Sequence, residues 1–207
     1  MELKERIIKE ATRMFVESGI KSVRMDDVAT ACGISKRTLY EIFEDREDFI
    51  RQSLCHNLEQ QKNVLDTRLE HAANVLDEFK IIFDYGPELR KSIRNIAADL
   101  MKFYPEIFDE IMRSHHETVV SDTEQRLRRG IEQGLFLRSI DTEFVARSLM
   151  SYLFGLHQDM KSLATSNRLS DSNSELMLQS AIMYFLRGLT TEKGCRYMDE
   201  NILKLTK

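Results

Sequence analysis

Near the start of the chain the apolar residues fall at Leu3, Ile7, Ile8, Ala11, Met14, Phe15 and Val16, the i, i+3, i+4, i+7 recurrence of one helix face. Gly19 predicts the end of that helix, as the residue just past its last turn. Asp26 and Asp27 favour the N-terminal end of a helix dipole and open a second, short helix whose inward residues are Met25, Val28, Ala29 and Cys32. Gly33 ends it, and Ser35 starts a third helix as N-cap. Ile34 and Leu39 then occupy the two positions of a hydrophobic staple. At 100° per residue, Leu39, Ile42 and Phe43 face inward, while Arg37, Tyr40, Glu41 and Glu44 face outward and Lys36 and Thr38 flank the boundary.

Asp45 caps a fourth helix, with Glu47 and Asp48 in its first turn and Phe49, Ile50, Leu54, Leu58, Val64 and Leu65 carrying the period onward. Gly86-Pro87 predicts a break, a helix over about 88–103 follows, and Tyr104-Pro105 predicts another break before a long helix to about Gln133. The segment 134–141 reads as a connector. Two final helices, about 142–164 and 173–189, flank a polar loop at 165–172. No repeat of fixed period supports a solenoid.

Composition agrees with this pattern. With 8 Gly and 2 Pro in 207 residues there are too few turn signals for an all-β chain, and an all-α fold is expected. Cys32, Cys55 and Cys195 are far apart and form no CxxC pair, so neither a zinc cage nor a disulfide framework is predicted, and a reduced, cytoplasmic setting fits. No run approaches the roughly 18 apolar residues of a membrane span, so no membrane partner is expected. The formal charge of −4 counts against a nucleic-acid binder on bulk grounds. Residues 1–46, however, hold nine Lys and Arg against nine Asp and Glu, so the remainder carries the whole −4. Arg24, Lys36, Arg37 and Arg46 gather at the second and third helices, and a local patch steers DNA better than net charge describes.

A short helix joined by a Gly turn to a second helix that displays Lys, Arg, Thr and Tyr is a helix-turn-helix, whose second helix enters the DNA major groove. Arg can pair bidentately with guanine O6 and N7, while Lys, Thr and Tyr reach phosphate oxygens. Residues 4–50, above all Val28-Ala29, Gly33-Ile34-Ser35-Lys36-Arg37-Thr38-Leu39-Tyr40 and Phe43 with Arg46-Glu47-Asp48-Phe49, resemble the N-terminal domain of the TetR/AcrR family of bacterial transcriptional regulators.

The resemblance implies an all-α homodimer with an N-terminal three-helix DNA-binding domain at 1–46 and a C-terminal helical effector-binding and dimerisation domain at 47–207. It implies backbone contacts from Ser35, Lys36, Thr38 and Tyr40, base reading by Arg37, and a phosphate grip by Arg46. Arg24 stands where the family usually has Thr or Ser, which implies a lost helix cap and a gained phosphate-seeking cation. Glu41 and Glu44 stand where the family often has His, Tyr or Lys, and they are left out of the expected contacts.

The C-terminal part is aromatic-rich and Met-rich, compatible with an adaptable apolar cavity for a small-molecule effector lined by Phe83, Phe103, Tyr104, Phe108, Met112, His116, Met150, Phe154 and His157, although taken singly each reads better as core. His115-His116 lie about 100° apart on a helix without an ExxH partner, so no metal and no cofactor is expected. The last two helices are apolar over a wide arc, which predicts a dimer interface at Leu149, Leu153, Leu156, Ile182, Phe185, Leu186 and Leu189. Two-fold symmetry then predicts a palindromic operator on double-stranded DNA. The function expected is a sequence-specific repressor released by its effector. A small all-α enzyme is the alternative from another class and would need a convergent titratable set that no motif supplies; a ligand-independent DNA-binding regulator is the other alternative.

Overall fold

The computed structural model describes residues 2–165 and 171–202, with the side chains at 91, 92, 154, 156–165, 171–176 and 178 outside the description. The helices are α1 (Leu3–Ser18), α2 (Met25–Ala31), α3 (Lys36–Ile42), α4 (Arg46–Leu69), α5 (Val75–Phe103), α6 (Pro105–Glu132), α7 (Thr142–Thr165), α8 (Asp171–Arg187) and α9 (Glu192–Tyr197), followed by a π-helical turn, Met198–Ile202. The fold is all-α. Among the described residues the β-type pairing is an isolated antiparallel bridge between Phe136 and Thr190.

Packing divides the chain into two compact units, one of Met1–Thr67 with Glu88–Ser114 and one of Arg68–Pro87 with His115–Lys207. The first unit forms because the inward stripes of α1 (Ile7, Ala11, Phe15), α2 (Met25, Val28, Ala29) and α3 (Leu39) meet Phe43 and the first two turns of α4 (Phe49, Ile50, Leu54). Phe49 stands edge-on to both Phe43, with centroids 4.9 Å apart, and Phe15, at 5.9 Å. All three rings are buried, each worth about 1.5–3 kcal/mol of transfer free energy. Ile96 and Leu100 of α5 and Ile107 of α6 belong to the same core. The core of this unit is therefore not closed by the first four helices alone.

The second unit is built on Val75, Leu76 and Phe79 of α5, Val120 and Leu127 of α6, Val145, Ala146 and Leu149 of α7, and Ile182, Met183 and Leu186 of α8, closed by Leu135, Phe136, Met198 and Ile202. Thr191 caps α9 by accepting the Gly194 N–H, and its own N–H donates to Leu135 O.

The break expected at Gly86-Pro87 does not occur: α5 passes through Pro87. Its apolar residues stay in phase, since Phe79, Phe83, Ile93 and Leu100 recur within one half of the helix circumference. Burial of Val75, Leu76, Phe79 and Tyr85 before the proline and of Ile96 and Leu100 after it outweighs the roughly 3 kcal/mol that an interior proline costs. What changes there is the packing, because the boundary between the two units falls between Pro87 and Glu88.

Candidate nucleic-acid interface

The turn between α2 and α3 is a Schellman motif. Gly33 takes a left-handed φ of 64°, its N–H donates to Thr30 O at 3.1 Å, and the Ile34 N–H reaches back to Ala29 O at 3.0 Å. Ile34 then packs on the core as the staple requires, opposite the fully buried Leu39. Ser35 Oγ accepts the Thr38 N–H at 3.1 Å and lies 2.9 Å from Thr38 Oγ1. Arg6 of α1 fixes the turn from the other side, its Nη2 donating to Cys32 O at 3.0 Å. Burial, with Glu10 nearby, pushes the Cys32 thiol above its ordinary value, so it stays a protonated packing group.

With Leu39 and Phe43 anchored inward, α3 turns Lys36, Arg37, Tyr40 and Glu41 to solvent. Arg37 is 89% exposed and donates from Nε to Glu41 Oε1 at 2.9 Å, one helical turn on. Lys36 Nζ bridges to Asp26 Oδ2 of α2 at 3.0 Å. Exposed pairs of this kind contribute little and yield readily to a phosphate. Arg24 is exposed at the N-cap of α2. Its missing Ser or Thr side chain is compensated from within the helix, because Asp27 Oδ2 accepts the Arg24 N–H at 2.8 Å. Ser35, Lys36, Arg37, Thr38 and Tyr40 thus stand along α3 and its cap, and Lys36 meets, through Asp26, the first turn of α2 that follows Arg24; cations and hydroxyls of this kind bind phosphate.

Arg46 does not join them. It is half-buried, with Nε donating to Tyr104 Oη at 3.0 Å and Nη2 donating to both Ile20 O and Val23 O at 2.9 Å. These three bonds turn Nε and Nη2 of the guanidinium inward, toward the α1–α2 turn and Tyr104. Sequence reading had no way to find the partners, which lie 23 to 58 residues away. Asp45 caps α4 as expected, its Oδ1 accepting the Asp48 N–H at 2.8 Å.

Residues 7–52 match the family described as bacterial regulatory proteins, tetR family. The regulator UidR of Escherichia coli (strain K12), an HTH-type transcriptional regulator, is 26% identical over 165 residues, covering 75% of this chain and 80% of that protein. An HTH-type transcriptional regulator of Staphylococcus aureus (strain USA300) is 23% identical over 180 residues, covering 76% of this chain and 94% of the relative. Residues 7–52 thus carry the DNA-binding segment of tetR-type regulators, and the chain is similar over three quarters of its length to HTH-type transcriptional regulators. Its fold recurs in a transcriptional regulator from Cytophaga hutchinsonii, with a TM-score of 0.72 at 18% identity, covering 90% of this chain and 98% of that one. It also recurs in a Saccharomonospora viridis transcriptional regulator solved in complex with choline, with a TM-score of 0.63 at 18% identity over 91% and 98% of the two chains.

The residues expected to line an effector cavity divide between the two units. In the first, Tyr104 and Phe108 pack against the core, while Phe103 and Met112 are exposed, Phe103 lying 4.4 Å from Lys21 Nζ and 5.3 Å from Lys102 Nζ. In the second, Phe83 stacks on Phe79 at 6.2 Å, Met150 packs on the core, and His116 is exposed, 3.7 Å from Glu117. Phe154 and His157 have side chains outside the described residues. Two open grooves lie elsewhere, one of about 500 Å³ lined by Arg6, Lys9, Glu10, Arg13, Ala31 and Cys32, and one of about 360 Å³ beside α9.

The dimer residues need a sharper correction. Leu149, Ile182 and Leu186 are at most 2% exposed, inside the core of their own unit, where no partner can reach them. Leu153, Phe185 and Leu189 are half-buried against that core, and the Leu156 side chain lies outside the described residues. Among the described residues, the outward large apolar side chains of these two helices are Phe144, Tyr152, Met177 and Tyr184, with Phe144 69% and Tyr184 64% exposed. On α8, which is apolar nearly all round, the period has no power to say which arc faces home and which faces away. Among the described residues, no helix is long and apolar enough to cross a membrane.

Proposed function

We propose that this chain is a TetR-family regulator, a cytoplasmic repressor that binds a palindromic operator as a homodimer and is released by a small-molecule effector. The observation that carries the reading is α3, held inward by Leu39 and presenting Arg37, Lys36 and Tyr40 on its free face. Arg37 reads a base edge, and Lys36, Ser35, Thr38, Tyr40 and Arg24 hold the phosphates on either side. In functional terms residues 1–46 supply the DNA contacts and residues 47–207 the effector site and the dimer contacts, with the exposed aromatics Phe144, Tyr152 and Tyr184 as the candidates for the latter. Symmetry then sets two copies of α3 one helical turn of DNA apart. The choline complex of the structurally similar Saccharomonospora viridis regulator supports a small-molecule effector. Binding there favours a dimer whose recognition helices are wrongly spaced, with α4, which begins at Arg46, as the lever.

The test is a gel shift against the DNA upstream of the protein's own gene, with scrambled DNA as reference. Preferential binding that a small molecule, found by thermal-shift screening of a metabolite library, reverses is the expected result. Equal binding to both DNAs, lost uniformly with salt, would sink specific regulation.

A further inference from the structure

The segment from Val16 to Val23, which joins α1 to α2, is held from outside the family's DNA-binding segment. Asp99 of α5 accepts the Lys21 N–H on Oδ2 at 2.8 Å, and Asn95 Nδ2 lies 3.5 Å from Val16 O. Gly19 leaves the space that Asp99 fills, since a Cβ there would stand 2.6 Å from Asp99 Oδ2. From below, Arg46 Nη2 ties Ile20 O and Val23 O together, and Tyr104, at the junction of α5 and α6, fixes that guanidinium through its Oη. Lys21 lies against Phe103 at the same junction. All these groups belong to one compact unit. They converge on a turn whose far end, Arg24, is the N-cap of α2, and α2 carries α3 through the Gly33 motif.

We infer that Asp99, Arg46 and Tyr104 are positioning residues for DNA binding: they touch no DNA and set the seat of α2, and through it the orientation of α3. The inference rests on the DNA-binding reading above. It also gives the α5–α6 junction a role. Asp99 lies in the last turns of α5 and Tyr104 between α5 and α6, so this elbow acts on the recognition helix through named hydrogen bonds instead of through diffuse packing.

The experiment uses the full chain and a duplex that the wild-type protein selects from a randomised library. Affinity is measured by fluorescence anisotropy across a salt series for Arg37→Ala, Tyr104→Phe, Asp99→Ala, Asp99→Asn and Arg46→Gln, with far-UV circular dichroism confirming that each is folded at the assay temperature. Tyr104→Phe and Asp99→Ala each weaken binding about tenfold at every salt concentration, the effect expected where a charge-assisted hydrogen bond is lost. Asp99→Asn, which keeps an acceptor for the Lys21 N–H, restores most of the affinity, and hydrogen exchange at the Lys21 amide rises in Asp99→Ala but not in Asp99→Asn. Arg46→Gln weakens binding without changing the salt slope. A slope lowered by about one unit in Arg46→Gln, with Tyr104→Phe like the wild type, makes Arg46 a phosphate contact and overturns the inference. So does undiminished affinity in both Tyr104→Phe and Asp99→Ala. If Arg37→Ala also binds unchanged, the placement of α3 on DNA is what fails. Should Arg46→Gln not fold, the Tyr104 and Asp99 variants decide alone.

Discussion

Two glycines of the N-terminal unit have positive φ, and they differ in what surrounds them. Gly33 sits at φ 64° with nothing within 4 Å of where a Cβ would be. Gly19 sits at φ 79° and ψ 161°, a region open to little besides glycine, and its missing Cβ is the space taken by the Asp99 carboxylate. Alanine at 33 costs about 1–2 kcal/mol of left-handed strain, less about 0.4–1 kcal/mol gained by restricting the unfolded chain. Alanine at 19 costs about 1–3 kcal/mol of strain and also pushes Asp99 off the Lys21 N–H, a charge-assisted bond worth about 1.5–3 kcal/mol. After the same unfolded-chain correction the loss is about 2–5 kcal/mol, a fall in Tm of about 5–15 °C for a chain of this size. Thermal and urea denaturation followed by circular dichroism measure both variants. In the double variant Gly19→Ala with Asp99→Ala the two costs add to less than their sum, because the clash and the lost bond are one event. If Gly19→Ala is no more destabilising than Gly33→Ala, the close approach of Asp99 is wrong, and with it the way the turn is held.

Arg37→Ala loses roughly 1–3 kcal/mol of operator affinity and relaxes selection at one base pair, while Lys36→Ala weakens all sequences alike and lowers the salt slope by about one unit; binding-site selection and salt titration separate the two. Tyr184→Glu shifts the protein toward monomer in sedimentation velocity at unchanged thermal stability, whereas Leu186→Ala destabilises the fold by about 2–5 kcal/mol, because its side chain is fully buried in the home core. Burial, reinforced by His116 and opposed by Asp122, holds the His115 imidazole below its ordinary 6.5. The folded state therefore disfavours the charged ring, and stability present above pH 6.5 falls as the pH drops below it. His115→Gln flattens that part of the stability–pH curve; a curve identical to the wild type would contradict the burial.

The DNA-facing half was legible because its signals are local. Gly19, Gly33, Ser35 and Asp45 mark helix ends through bonds that span three to five residues, and the Leu39 to Phe43 stripe needs only the helical period. The inward bonds of Arg46 were not legible for the opposite reason: which way a long cation turns is decided by Ile20, Val23 and Tyr104, which sequence proximity does not connect to it. Pro87 looked like a stop because its local cost is real, but burial on both sides of it is a tertiary term. The C-terminal helices gave the least. On α8 apolar residues cover nearly the whole circumference, so buried Leu186 and exposed Tyr184 carry the same signal, and α9 with its π-turn is too short for any period to register.

The core of the first unit also dictates where this protein can be cut and recombined. A chimera that grafts a foreign DNA-binding segment at residue 46, or at the end of the matched family segment, would leave Ile96, Leu100 and Ile107 facing a surface they did not evolve with, and Asp99 beside a turn with no amide placed for it. The exchangeable module is discontinuous, residues 1–67 together with 88–114, and a transplant that respects it must carry the elbow between α5 and α6 along with the helices that meet the DNA.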